Sequence, residues 1–106
     1  MRNTTINVKG ADYQVKFVDY LTVCGFTNYG SKLICIKNDS NLEEFRGTII
    51  HELLHAYLDE CGLFNYSNDE TLISWLEVHF FEIYKKLCEI VSMNKNVNEE
   101  IEKWWV

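Results

Sequence analysis

Two histidines and a glutamate lie within five consecutive residues of the segment Thr48-Ile49-Ile50-His51-Glu52-Leu53-Leu54-His55-Ala56-Tyr57. On a helix, His51 and His55 are separated by about 40° of rotation and about 6 Å along the axis, so both imidazoles project from one face. They can therefore share one metal ion. Glu52 is rotated by about 100° and reaches a water on the ion instead of the ion itself. The spacing predicts a Zn²⁺ site with His51 and His55 as ligands.

The chemistry expected of such a site is hydrolysis of a peptide bond. Zinc lowers the pKa of its bound water toward about 7 and polarises the substrate carbonyl. Glu52 is then the predicted catalytic general base, which takes the proton and later returns it to the leaving amine. H-E-x-x-H alone is a short pattern that also arises by chance. Here the residues within and beside it are uncharged, and it contains two of the three histidines of the chain, so we predict an enzyme.

The segment from Thr48 to Tyr57 resembles the extended motif of the zincin metallopeptidases. In that motif, Thr or Val and two uncharged residues precede H-E-x-x-H, and an uncharged and a hydrophobic residue follow it. More narrowly, the chain is similar to the small intracellular zincins of bacteria and their phages, the relatives of ImmA/IrrE and SprT-like proteins, with supporting stretches at 7–13, 32–37 and 70–80. The resemblance implies a gluzincin-like peptidase that acts on a specific intracellular protein and is encoded by a bacterium, a phage or a prophage.

The third zinc ligand is left open between two glutamates. The gluzincin resemblance implies a glutamate from the next helix, where Glu70 and Glu77 are seven residues apart and share one face. If the helices are antiparallel, matching their levels favours Glu77. Packing favours Glu70, because small residues, Thr71 and Ser74, follow it as in the family pattern. We predict Glu70, with Glu77 as the alternative; a capping box of Glu70 with Ser67 would explain Glu70 without a metal.

Three further kinds of side chain are candidates near the motif. Cys61 stands where metzincins have their third histidine, but without a glycine to turn the helix it faces away, which predicts a buried thiol. His79 lies about 180° around its helix from Glu70 and is predicted to belong to the core or to contact the ligands. Tyr57 and Tyr66 can donate a hydrogen bond to an oxyanion, although aromatic packing is the simpler use of either.

The first third of the chain is predicted to form the sheet. Apolar and polar residues alternate over 5–9 and 13–17 on both sides of Gly10-Ala11-Asp12, which indicates a hairpin. A third strand is predicted over 31–37, and its lysine flanks indicate a sheet edge. Residues 19–31 are ambiguous between strand, helical turn and loop. An extended peptide would pair with the predicted edge strand, which makes the expected substrate-binding residues Leu33, Ile34, Cys35 and Ile36.

Helical spacing follows in the rest of the chain. One helix is predicted from Leu42 to about Cys61, with Asn41 as its N-cap and Gly62 as its stop. A second is predicted over 69–93, and a short terminal helix begins after Asn98 and ends at Trp104-Trp105-Val106. The predicted fold class is α+β: a small, mostly antiparallel sheet over 3–37, packed on two long helices as a minimal zincin.

Length and charge restrict the other possibilities. The chain of 106 residues is predicted to be one domain, 1–106. Sixteen acidic and ten basic residues give a net charge of −6, which argues against a nucleic-acid partner and leaves a protein or peptide. No run of about 20 apolar residues and no signal peptide is present, so we expect no membrane association and a cytoplasmic location. The four cysteines are scattered, which predicts reduced, mostly buried thiols.

A second class of function fits the same features. The chain could be a zinc-stabilised, non-catalytic module of a phage or bacterium that binds a host protein. Its short length, its acidic composition and the terminal Trp104-Trp105 pair are compatible with that role. Glu52 argues against it, because a structural zinc site does not need this carboxylate.

Overall fold

The computed structural model describes residues 1–94 as one four-stranded sheet and three helices. The strands are β1 (Thr4–Val8), β2 (Ala11–Val18), β3 (Gly25–Asn28) and β4 (Leu33–Lys37), and the helices are α1 (Leu42–Glu60), α2 (Phe64–Ser67) and α3 (Glu70–Met93). The α+β class is therefore confirmed. The sequence predicted two helices in this part of the chain, and the four-residue α2 is an addition. The predicted terminal helix after Asn98 and the Trp104-Trp105 pair lie outside the described residues.

The sheet is mixed, with strand order β1-β2-β4-β3. β1 pairs antiparallel with β2, and β3 pairs antiparallel with β4, but β2 and β4 are parallel, with Val15 opposite Ile34. The prediction of a mostly antiparallel sheet is therefore wrong. After β2 the chain first forms β3 and then returns to place β4 between β2 and β3. Alternation of residue types shows which face of a strand is buried, but it carries no information on which strand lies beside it.

The predicted hairpin of β1 and β2 is confirmed, with its turn slightly earlier in the chain. Val8 pairs with Ala11, so the turn consists of Lys9 and Gly10 instead of Gly10-Ala11-Asp12. Both turn residues have positive φ, 52° and 94°, as in the mirror-image turns whose twist matches that of the flanking strands. The Asn7 side-chain oxygen accepts a hydrogen bond from the Gly10 amide at 3.0 Å.

β4 is an inner strand, which corrects the predicted position of the peptide-binding edge. Its backbone pairs with β2 on one side and with β3 on the other, so it has no free edge to which a peptide could add. Three of its side chains, Ile34, Cys35 and Ile36, are also buried. The predicted edge position of Leu33, Ile34, Cys35 and Ile36, on which their expected substrate-binding role rested, is therefore wrong. In the described part of the chain, the outer strands are β1 and β3.

The core lies between one face of the sheet and α1. Its buried members are Val8, Tyr13, Val15, Ile34, Ile36, Phe45 and Ala56. Helix α1 begins where predicted, since the Asn41 side chain accepts hydrogen bonds from the first turn, and it ends before Gly62, whose φ is 77°. Because Phe45 and Ala56 bind α1 to the sheet, the orientation of the helix is set, and with it the face that carries the histidines.

Helix α3 is anchored near its N-terminus. Asp69 is its N-cap and accepts from the Leu72 amide at 3.0 Å, so the alternative of a capping box between Ser67 and Glu70 is not the observed arrangement. Ile73 is completely buried. Farther along the helix, large apolar side chains are exposed; they are Trp75, Val78, Phe80, Ile83, Tyr84, Ile90 and Met93.

The four cysteines are free thiols, and three of them, Cys24, Cys61 and Cys88, are exposed. The prediction of mostly buried thiols is therefore wrong. Only Cys35 is buried, and its burial raises the pKa of the thiol. Cys61 follows the last residue of α1, where the chain leaves the packed interface. Within residues 1–94, no helix combines the length and the apolar character that crossing a bilayer requires.

Candidate metal centre

Helix α1 and the first residue of α3 bring His51, His55 and Glu70 together. The Nε2 atom of His51 lies 2.8 Å from Oε2 of Glu70, and the Nε2 atom of His55 lies 2.9 Å from Oε1 of the same carboxylate. One ligand atom from each residue lies within 4.8 Å of the other two. His55 is buried, whereas Glu70 is exposed, so the group reaches from the interior to the surface.

The two glutamates that the sequence left as alternatives have different positions. Glu70 contacts both Nε2 atoms, whereas Glu77 contacts His51 from the other side, with Oε1 2.9 Å from Nδ1. Matching helix levels favoured Glu77 because it placed Glu77 level with His55, but Glu77 contacts His51 and it is Glu70 that lies against His55. The structure thus groups Glu70 with the two Nε2 atoms and places Glu77 behind one of the rings.

The second ring nitrogen of each histidine is held by an oxygen that can only accept. His51 Nδ1 faces the Glu77 carboxylate. His55 Nδ1 lies 2.5 Å from the carbonyl oxygen of Ser67, which also accepts from the Tyr29 hydroxyl at 2.7 Å. Nδ1 of His55 therefore carries a hydrogen, whereas both nitrogens of His51 face carboxylates, and hydrogen on its Nδ1 is the tautomer that leaves Nε2 free to bind a metal. In this tautomer the Nε2 lone pairs are directed at Glu70, which is the orientation that metal-binding histidines adopt.

In this tautomer the contacts at Nε2 require a proton or a metal ion between nitrogen and oxygen. With hydrogen on Nδ1, each neutral ring of His51 and His55 presents a lone pair to the Glu70 carboxylate at 2.8–2.9 Å. Two lone pairs at that distance repel unless a proton or a metal ion lies between them. Either both imidazoles take up a second proton, or one divalent cation serves both. Two imidazole nitrogens and a carboxylate oxygen are a donor set that suits Zn²⁺ and leaves a fourth position open.

The electrostatics of His51 favour a cation. Burial is the largest single influence on this ring and lowers its pKa, but the hydrogen bonds to Glu70 and Glu77 and the charge of Glu52 together outweigh burial. The pKa of His51 is therefore raised above its ordinary value. The same negative surroundings that bind a proton to the ring would stabilise a metal ion beside it.

Glu52 is buried below β3, with 6% of its surface exposed. The hydroxyl of Thr27 lies 2.9 Å from Oε1 of Glu52 and 3.1 Å from the Glu52 carbonyl oxygen. Gly25 lets the strand pass this close, because a Cβ there would lie 3.0 Å from Cγ2 of Thr48 and 3.2 Å from Cγ of Glu52. Burial raises the pKa of the Glu52 carboxyl, and the hydrogen bond from Thr27 opposes this rise.

The sequence missed three groups that contact the site. They are Thr27, Tyr29 and the carbonyl of Ser67. Thr27 and Tyr29 lie in the stretch that was ambiguous between strand and loop, and they are 25 and 26 residues from their partners in α1. A backbone carbonyl has no signature in a sequence. The only local signal was Gly25, because a glycine permits another segment of the chain to approach closely but does not identify that segment.

The remaining candidates lie apart from the three-residue group. Cys61 and Tyr66 are exposed, and Tyr57 is 43% exposed. His79 stacks on Trp75 with ring centroids 4.0 Å apart, and its Nδ1 lies 2.8 Å from the Trp75 carbonyl oxygen. The predicted place of His79 in the core or against the ligands is therefore wrong. Its partner is its own helix, one turn earlier.

No protein-family model, curated protein or solved structure matches this chain. The similarity to zincins rests on the motif at 48–57 and on the arrangement of the helices and strands around it, and it stays a prediction.

Proposed function

We propose that this chain is a zinc-dependent peptidase of zincin type, in which His51, His55 and Glu70 hold the metal ion and Glu52 is the general base. The observation that carries the proposal is that the Nε2 atoms of both histidines meet one carboxylate, that of Glu70, while both Nδ1 atoms lie against other oxygens. This arrangement leaves one place for a cation, and its donors are those of a catalytic zinc site.

The two oxygens of the Glu52 carboxylate have different roles. A zinc ion, when bound, would polarise the substrate carbonyl and acidify the attacking water. Thr27 holds Oε1 of Glu52 at 2.9 Å, so the second oxygen of the carboxylate is the one that takes the proton from the water and delivers it to the leaving amine. The burial of Glu52 raises its pKa, which brings its proton affinity closer to neutral pH and makes both transfers feasible.

The substrate we propose is an extended protein or peptide segment that pairs with β3. This strand has a partner, β4, on one side only, and its Thr27 contacts the proposed base. A peptide added to its free edge by main-chain hydrogen bonds would therefore lie next to the site. The resemblance to small bacterial and phage zincins supports a specific protein of the bacterial cytoplasm as the target.

A non-catalytic, zinc-stabilised binding module is the second candidate. The observation in its favour is the exposure of large apolar side chains along α3, among them Phe80, Ile83 and Ile90, since exposed apolar surface is common where partners bind. In this alternative, Glu52 has no role in chemistry and its contact with Thr27 only joins β3 to α1.

The variant Glu52→Gln separates the two candidates. Glutamine keeps an oxygen that accepts from Thr27 but cannot take a proton from water. We expect the variant to bind one equivalent of zinc, as the natural chain does, and to cleave no member of a random peptide library analysed by mass spectrometry. Glu82→Gln, an exposed charge change on α3, is the matched control and should cleave normally. Cleavage that survives in Glu52→Gln or in excess chelator would refute the peptidase proposal.

A further inference from the structure

Gly47 occupies an unusual place for a glycine, in the interior of α1 and one turn before His51. It is buried. Glycine in a helix interior destabilises the helix relative to alanine, so its presence requires a local reason. The backbone supplies none, because Gly47 has ordinary helical geometry and only Gly10 and Gly62 have positive φ among the glycines of residues 1–94.

The reason is the carboxylate of Glu77. A Cβ built on Gly47 would lie 2.9 Å from Oε2 and 3.6 Å from Cδ of Glu77. Within residues 1–94 these are the heavy atoms that a methyl group would meet, apart from the helix backbone and the adjacent residues. Glycine at position 47 thus leaves the space that the second oxygen of Glu77 occupies, while the first oxygen lies 2.9 Å from His51 Nδ1.

We propose that Gly47 and Glu77 together are positioning residues for the metal site: the missing side chain at 47 lets the Glu77 carboxylate reach His51 and fix its ring, and this sets the affinity for zinc. The inference rests on the proposed function in requiring a metal at His51, His55 and Glu70. It goes beyond that function because it makes the affinity for zinc depend on Gly47 and Glu77, which would touch neither the metal nor the substrate.

Alanine at position 47 should separate the stability of the fold from the affinity for zinc. The atoms in conflict are the far end of a flexible, partly exposed side chain, so Glu77 can turn away at little cost to folding. The helix itself gains from alanine. The metal-free Gly47→Ala protein should therefore be at least as stable as metal-free Glu77→Ala, which loses the same contact with His51. Its zinc affinity should fall, because His51 loses the partner that holds its ring.

The test compares the full natural chain with Gly47→Ala, Glu77→Ala, the double variant and the control Glu82→Ala. Glu82 lines the groove between α1 and α3 that Gly47 and Glu77 also line, and it carries the same charge as Glu77. Zinc affinity is measured by competition with a chromogenic chelator, and unfolding of the metal-free proteins is measured in urea. We expect Gly47→Ala and Glu77→Ala each to weaken zinc binding by about 10- to 100-fold. The double variant should be no weaker than Glu77→Ala, and Glu82→Ala should be unchanged.

Two results would overturn the proposal while leaving the metal site intact. One is natural zinc affinity in either Gly47→Ala or Glu77→Ala. The other is a double variant whose loss is the product of the two single losses, which would mean that position 47 acts independently of Glu77. If Gly47→Ala did not fold, undiminished zinc affinity in Glu77→Ala alone would suffice to refute it. A natural chain that binds no zinc would overturn the proposed function and this inference together.

Discussion

Thr27→Val removes one hydroxyl from β3 and changes the shape of the side chain very little. The hydroxyl is 2.9 Å from a carboxylate whose residue is only 6% exposed, so water cannot readily replace it. A hydrogen bond to a charged group contributes about 1.5–3 kcal/mol. We therefore expect the substitution to lower the free energy of unfolding of the metal-free protein by about that amount at neutral pH.

The loss should depend on pH in a defined direction. Burial raises the pKa of Glu52, and the Thr27 hydrogen bond lowers it, so the bond favours the charged form. When Glu52 is protonated, the hydroxyl meets a neutral acceptor, and the contribution falls to about 0.5–1.5 kcal/mol. The deficit of Thr27→Val should thus be largest above the pKa of Glu52 in the variant and should shrink as the pH falls through it.

Urea unfolding at several pH values measures this deficit. Thr27→Ser is the control, since it keeps the hydroxyl and loses one methyl group, which costs about 0.8 kcal/mol or less. In a Glu52→Gln background, Thr27→Val should cost only as much as a neutral hydrogen bond, so the two substitutions should be coupled. Equal stability of the valine and serine variants at every pH would refute the reasoning. So would full additivity of Thr27→Val and Glu52→Gln.

Three other outcomes are expected. Zinc at 100 times its Kd should raise the free energy of unfolding by about 2.7 kcal/mol, and Glu70→Ala should abolish this gain; a gain that persists would remove Glu70 from the ligand set. The hydrogen bonds from Lys32 and Tyr13 hold the pKa of Glu60 below its ordinary range. The charged Glu60 carboxylate therefore stabilises the fold above the unfolded pKa of about 4.3, and this stabilisation is lost as the pH falls through the folded pKa. Glu60→Gln should flatten the acid side of the stability curve, followed by circular dichroism, and a curve as steep as that of the natural chain would contradict this. Ile73→Ala should cost about 2–5 kcal/mol, because this side chain is completely buried; an unchanged urea midpoint would show that α3 is anchored elsewhere.

Local signals predicted the parts of the fold that depend on neighbours in the chain. Asn41 and Gly62 bound α1 as expected, because caps act within a few residues. The hairpin of β1 and β2 followed from alternation around a glycine turn. In contrast, β3 has four residues in a stretch without clear alternation, and without β3 the lysine-flanked β4 was wrongly predicted to be the edge. One unrecognised strand was enough to misplace the predicted free edge.

The sequence by itself determined that His51 and His55 share a helix face and that Glu52 lies to one side of them, because the pitch of a helix is a local property. It also narrowed the candidates for a third residue beside His51 and His55 to two glutamates on one helix. Only the tertiary structure decided between them, by bringing Glu70 to both Nε2 atoms and Glu77 to Nδ1 of His51. That choice depends on how α3 lies against α1, which is set by contacts between side chains far apart in sequence. The same long-range packing placed Thr27 and Tyr29 at the site, where no local pattern in the sequence could have located them.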